Sequence, residues 1–123
     1  MLVVDDNADL RDAIGEELEA EGYQVLQAGN GKEALETLRT HGEVSLILVD
    51  LRMPTMDGRQ LIAALRQMGV DIPVVVLSGV SRSPQSDGVV RRLVTGAVDV
   101  LDKPFSIDAL LRIVAQHAAR GRG

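Results

Sequence analysis

The sequence predicts an α/β domain built on a single doubly wound, five-stranded parallel sheet with five helices. Three observations predict it. Five short runs rich in Val, Leu and Ile recur along the chain, segments with apolar residues at helical spacing lie between them, and glycines stand where three of those helices should stop. Strand and helix alternate throughout, which implies right-handed crossovers and helices on both sheet faces. At 123 residues, 46% apolar and 25% charged, the chain has the size and mixture of one domain. We assign 1–119 to that domain and 120–123, Arg-Gly-Arg-Gly, to a tail or linker.

The elements run in order. Leu2-Val3-Val4 is the first strand, and Leu10, Ile14 and Leu18 form one stripe of a helix that Gly22 ends. Val25-Leu26 begins the second strand; Ala34, Leu35 and Leu38 mark the second helix. The third strand, Leu46-Ile47-Leu48-Val49, and the fourth, Val74-Val75-Val76-Leu77, are unbroken apolar runs and so are expected to be buried on both faces. Leu61, Leu65 and Met68 place a third helix between them, stopped at Gly69. Val89, Val90, Leu93 and Val94 give the fourth helix, Gly96 its end, and Val98, Val100 and Leu101 the fifth strand. The last helix carries Ile107, Leu110, Leu111 and Val114, with Ser106 as N-cap and Asp108 in the first turn to complement the helix dipole.

Composition removes several functions. Acidic residues number 18 against 13 Lys and Arg, a net charge of -5, so there is no basic surface for direct nucleic-acid binding. Tyr23 and Phe105 are too few aromatics for a base-stacking platform. Without cysteine there is no disulfide, Cys zinc site or thiol nucleophile, which suits a reducing cytosol. The apolar runs fall well short of the ~20 residues of a membrane span, and Leu2–Val4 is too brief for a signal-peptide core. The expectation is a cytoplasmic protein with no membrane insertion.

In an open parallel sheet, ligands bind beyond the carboxyl ends of the strands. There the first strand leads into Asp5-Asp6, the third into Asp50, the fourth into Ser78, and the fifth through Leu101-Asp102 to Lys103-Pro104. Carboxylates brought together repel one another unless a cation lies between them, and hard oxygen ligands suit Mg2+. A carboxylate is also a competent nucleophile toward phosphorus. A lysine is a point charge for a phosphoryl oxygen, and the chain has only two, Lys32 and Lys103, against 11 arginines.

Four pieces, Val3-Val4-Asp5-Asp6-Asn7, the block from Asp50 through Met53-Pro54 to Asp57-Gly58, Leu77-Ser78-Gly79 and Lys103-Pro104-Phe105, together resemble the receiver domain of two-component response regulators and hybrid histidine kinases. The resemblance spans nearly the whole chain and implies a flavodoxin-like fold of the receiver type. It implies that Asp50 accepts a phosphoryl group from a histidine on a kinase or phosphotransfer domain. Asp6 would bind Mg2+ directly and Asp5 mainly through water, with Asp50 and the backbone carbonyl of Arg52 completing the protein ligands. Ser78 would hydrogen-bond the phosphoryl group and Lys103 would pair with it, aimed inward by a fixed, cis bond to Pro104. Hydrolysis of the aspartyl phosphate in the same site makes this a signalling switch rather than a turnover enzyme.

Two departures concern output. Ser78 in the family is coupled to an aromatic switch residue; that position here is Val100, which has no rotamer capable of the same swing. The polar segment from Val80 to Gly88 reads as an enlarged loop. A phosphorylation-dependent homodimer through the fourth helix, fifth strand and fifth helix is compatible with the resemblance. Two settings also fit it, a stand-alone regulator and a module of a larger protein, and we favour the module.

Other readings of these residues compete. Asp5 and Asp6 could merely cap the first helix together with Asn7 or Asp9, Asp57 reads as a cap or turn residue, and Ser78 and Lys103 could be a turn hydroxyl and a solvated charge. His41 in a loop and His117 on the last helix read as surface or helix residues without metal-ligand spacing. Gly29-Asn30-Gly31-Lys32 is rejected as a phosphate loop because Glu33 stands where Ser or Thr is needed. An aspartate-nucleophile phosphohydrolase resembling the haloacid dehalogenase group needs a second acid where the chain has Arg52. A nucleotide-binding fold lacks its glycine motif after the first strand. The remaining alternative is a degenerate receiver acting as a phosphorylation-independent interaction module.

Overall fold

A computed structural model describes residues 1–41, 44–50, 58–78, 99–102 and 105–121. Within them the chain runs β1 (Leu2–Val4), α1 (Ala8–Ala20), β2 (Leu26–Ala28), α2 (Gly31–Thr40), β3 (Ile47–Asp50), α3 (Gly58–Gln67), β4 (Val74–Ser78), β5 (Asp99–Asp102) and α4 (Ile107–Gly121). The strands form one five-stranded sheet in the order β2-β1-β3-β4-β5, every pair parallel. This is the predicted doubly wound sheet. Four of the five expected helices lie among the described residues; the helix at Val89–Val94, its stop at Gly96 and the loop at Val80–Gly88 lie outside them.

The unbroken apolar strands are explained by the core, which has two layers. Leu2, Val4, Ile47, Val49, Val74 and Val76 pack with Ala34 of α2 and Leu61, Ile62 and Leu65 of α3. The alternate residues Val3, Leu48, Val75 and Leu77 pack with Ile14 and Leu18 of α1 and Leu110 and Val114 of α4. Period-two alternation therefore sends neighbouring side chains to opposite layers, and both layers are covered. Val100 and Leu101 obey the same rule, one packing on each layer.

Polar side chains start the helices. Asn7 accepts the Leu10 N–H at 3.1 Å, and Ser106 accepts the Ala109 N–H at 3.0 Å as expected. Asn30 and Glu33 cap reciprocally: the Asn30 side-chain oxygen accepts the Glu33 N–H at 2.9 Å while its amide donates to the Glu33 carboxylate at 3.0 Å. The glycine stops at Gly22 and Gly69 hold φ of 94° and 75°. At both, the next residue reaches back to the helix, Tyr23 N–H to the Leu18 carbonyl and Val70 N–H to the Leu65 carbonyl.

That second turn corrects one expectation. Met68 is expected in the buried stripe of the third helix, yet it lies beyond Gln67 and is 55% exposed. The helix is closed by the Gly69 turn before Met68 can swing beneath it, and Ile62 takes its share of the stripe. β2 also begins one residue later than expected, at Leu26. No helix among the described residues is long and apolar enough to cross a membrane.

Candidate functional site

The strand order reverses around β1. From β1 the chain passes to β2 on one side and then to β3 on the other, so the crevice between the β1 and β3 ends is the switch point where ligands bind in such sheets. Asp50 is the last residue of β3, in register with Leu77. Asp5 comes directly after β1, and its N–H prolongs the ladder by donating to the Ala28 carbonyl at 3.1 Å. The ladder thus delivers two acids to one crevice on adjacent strands.

Carboxylate oxygens of Asp5, Asp6 and Asp50 all lie within 4.8 Å of one another. Asp5 is fully buried, Asp50 is 8% exposed and Asp6 is open to solvent. Of the residues that could cap the first helix, Asn7 does so, and Asp5 and Asp6 do not. One carboxylate oxygen of Asp5 instead accepts the Asn7 N–H at 2.9 Å, which aims the side chain. Two buried acids beside a third are costly to keep ionised without a cation, so the donor set fits a hard divalent ion. Mg2+ takes few carboxylates and keeps several waters, and the exposed side at Asp6 leaves room for them.

The other expected site residues are described to different depths. Ser78 ends β4 in register with Asp102, one residue past the level of Asp50, so the backbone brings it to the same sheet edge on the strand next to Asp50. Lys103 comes directly after β5; Lys103, Pro104, Arg52 and Asp57 lie outside the described residues. Val100 sits in β5 opposite Val76, half-buried against the layer of α2 and α3.

The family model for the response regulator receiver domain matches residues 1–115. The chain belongs to that family. The receiver is 36% identical over 122 residues to the sensor histidine kinase RcsC of Salmonella typhi, an alignment covering 99% of this chain and 12% of that protein. It is 39% identical over 122 residues to the transcriptional regulatory protein PrrA of Mycobacterium tuberculosis, covering 98% of this chain and 51% of that one. The receiver therefore spans about half or less of these two relatives. Its backbone matches the receiver domain of the Francisella response regulator 1452 with a TM-score of 0.85 at 34% identity, over 97% of this chain and 95% of that chain.

Sequence reasoning misses two features of this receiver. His117 lies on the last helix as expected, but on its buried face and not its surface, 4% exposed, with Nε2 3.2 Å from the Asp99 carboxylate. The signal is present: Leu110 and Val114 define a buried stripe whose next position falls on residues 117 and 118. His41 is exposed beyond the end of α2, as expected. The second miss is Arg11, whose guanidinium donates to the Asp5 carbonyl at 2.7 Å and to the Gln27 side chain at 3.0 Å. It is the one basic residue among the eight acids between Asp5 and Glu21, an oddity visible in the sequence.

Proposed function

We propose that the chain is a phosphoacceptor switch in which Asp50 receives a phosphoryl group from a phosphohistidine on a histidine kinase or phosphotransfer domain. The observation that carries this reading is the meeting of the Asp5, Asp6 and Asp50 carboxylates within 4.8 Å at the switch point of the sheet. An Asp50 carboxylate oxygen forms the new bond to phosphorus as the histidine N–P bond breaks, and the freed imidazole leaves with the bonding pair. Asp6 would hold Mg2+ directly and Asp5 mainly through water, with Asp50 and the Arg52 carbonyl completing the protein's share. The ion, when bound, neutralises charge on the phosphoryl oxygens. Lys103 pairs with a phosphoryl oxygen and Ser78 donates a hydrogen bond to another.

Water later cleaves the aspartyl phosphate, returning the Asp50 carboxylate and free phosphate, so the chain signals rather than turning over a substrate. We assign the exchange to the cytoplasm. Phosphorylation then alters the partner-binding surface. Val100 favours an output that differs from the aromatic swing of the family, because a half-buried valine packed on the sheet has no second position to occupy. That observation also keeps a phosphorylation-independent interaction module as the second reading.

Intact-mass spectrometry after incubation with acetyl phosphate, with and without Mg2+, tests the proposal on the native chain and Asp50→Asn. One Mg2+-dependent phosphoryl addition, only on the native chain, is expected. Lys103→Ala should weaken the response with less effect on Mg2+ binding. Addition to Asp50→Asn at an unchanged rate removes Asp50 as acceptor, and no addition to the native chain under any condition moves weight to the second reading.

A further inference from the structure

We propose that Arg11 is a positioning residue for the metal-binding acids, acting through the peptide that joins Asp5 to Asp6. This rests on the reading of those acids as the Mg2+ ligands. Three polar groups of Asp5 are held: its N–H by Ala28, one carboxylate oxygen by the Asn7 N–H, and its carbonyl by Arg11 at 2.7 Å. The carbonyl is the decisive one, because it belongs to the peptide plane that precedes Asp6. Asp6 is exposed and belongs to neither buried layer among the described residues. Its starting point is therefore set by the backbone, and the backbone there is set by Arg11.

The guanidinium is itself fixed. It leaves the first turns of α1, reaches Gln27 of β2 at 3.0 Å through Nε, and turns a terminal nitrogen onto Asp5. Gly15 and Gly29 border this brace: a methyl group at Gly15 would sit 3.4 Å from the Gln27 amide, and one at Gly29 would sit 3.5 Å from the Arg11 guanidinium. One planar fork thus ties α1, the β1 exit and β2 together from two nitrogens at a fixed separation, a geometry that lysine's single rotatable ammonium does not reproduce. A charged donor to a carbonyl makes a short, strong bond.

Arg11 is also a positive charge close to a cation site, and that effect opposes the first. Loss of the charge alone would tighten Mg2+ binding, whereas loss of the brace would weaken it. Residues that orient metal ligands typically cost about 10- to 100-fold in metal affinity when removed. The brace should dominate, since the guanidinium is half-buried, engaged with two partners and partly screened by solvent.

Amide-resolved Mg2+ titrations of the folded native chain, Arg11→Ala and Arg11→Lys decide it. Both variants should bind Mg2+ about tenfold more weakly, and their phosphorylation by acetyl phosphate, slow at low Mg2+, should return to the native rate at saturating Mg2+. A purely structural role would lower the unfolding midpoint and leave the Mg2+ affinity of the folded molecules unchanged. Native or tighter affinity in Arg11→Ala, native affinity in Arg11→Lys, or a rate that stays low at saturating Mg2+ overturns the proposal. Should Arg11→Ala lose the native amide pattern, Arg11→Lys carries the test. If the native chain itself shows no Mg2+-dependent shifts around Asp5, Asp6 and Asp50, the reading of the site falls, and this inference with it.

Discussion

His117 Nε2 lies 3.2 Å from Asp99 Oδ2, so the buried end of an imidazole on α4 is tied to the first residue of the edge strand β5. The histidine side chain is 5% exposed and the carboxylate 38%, which puts the pair at the rim of the core. The other Asp99 oxygen accepts the Val100 N–H at 2.8 Å. The pair sits at the opposite end of β5 from Asp102, roughly 10 Å along the strand.

His117→Ala should therefore cost about 1–3 kcal/mol, from the lost hydrogen bond and the space left behind. Asp99→Asn can keep both contacts, its oxygen accepting the Val100 N–H and its NH2 donating to Nε2 of the other imidazole tautomer, and should cost less than about 1 kcal/mol. Urea unfolding measures both. Phosphorylation by acetyl phosphate should be unchanged in the folded variants, and a lost response would mean that this contact reaches the acid cluster.

Asp5 and Asp6 should separate architecture from ion binding. Asp6→Asn removes one of three crowded carboxylates at an exposed position and should leave the chain as stable as native, or more so, without Mg2+. Mg2+ should raise the thermal midpoint of the native chain and have little effect on this variant. Asp5→Ala gives up the bond to the Asn7 N–H but also removes a buried carboxylate from beside Asp6 and Asp50, so without metal the two effects oppose and the net loss should stay under about 1 kcal/mol. Thermal melts with and without Mg2+ read all three.

Val100→Tyr should preserve phosphorylation and alter the conformational response to it. The valine is half-buried on an edge strand, so a tyrosine ring can lie along the strand with its hydroxyl in solvent. Phosphorylation-induced amide shifts on β5 and α4 should differ between the two proteins. Identical shift patterns would remove Val100 from the output route.

Gly15→Ala should stabilise the chain by about 0.5–1 kcal/mol, since an interior helix glycine forfeits roughly that much. The new methyl would meet only the Gln27 amide and Val25, at 3.4 and 3.6 Å. Denaturant unfolding tests this; destabilisation would indicate that the Gln27 amide cannot yield.

The legible parts of the sequence are those whose pattern has one cause. Ile47–Val49 and Val74–Leu77 are apolar at every position because helices cover both faces, and no helix of that length would be apolar all round in so small a domain. β2 is harder to read because it is short and half-exposed, with Gln27 and not an apolar residue at its centre. Met68 obeys the helical period but falls past the helix end, beside a glycine turn where period no longer applies. Asp5, Asp6 and Asp50 are legible because strand ends carry ligands in this architecture. Arg11 is not, because its partner is a backbone carbonyl, which no side-chain pattern announces.

The distance between the β1 and β3 acids is inherited from the hydrogen-bonded spacing of two neighbouring strands. Helix surfaces away from the Arg11 brace do not set it. They can therefore be rewritten for a new correspondent while the bite on the ion stays the same width, so that the identity of the message and the means of writing it are free to evolve apart.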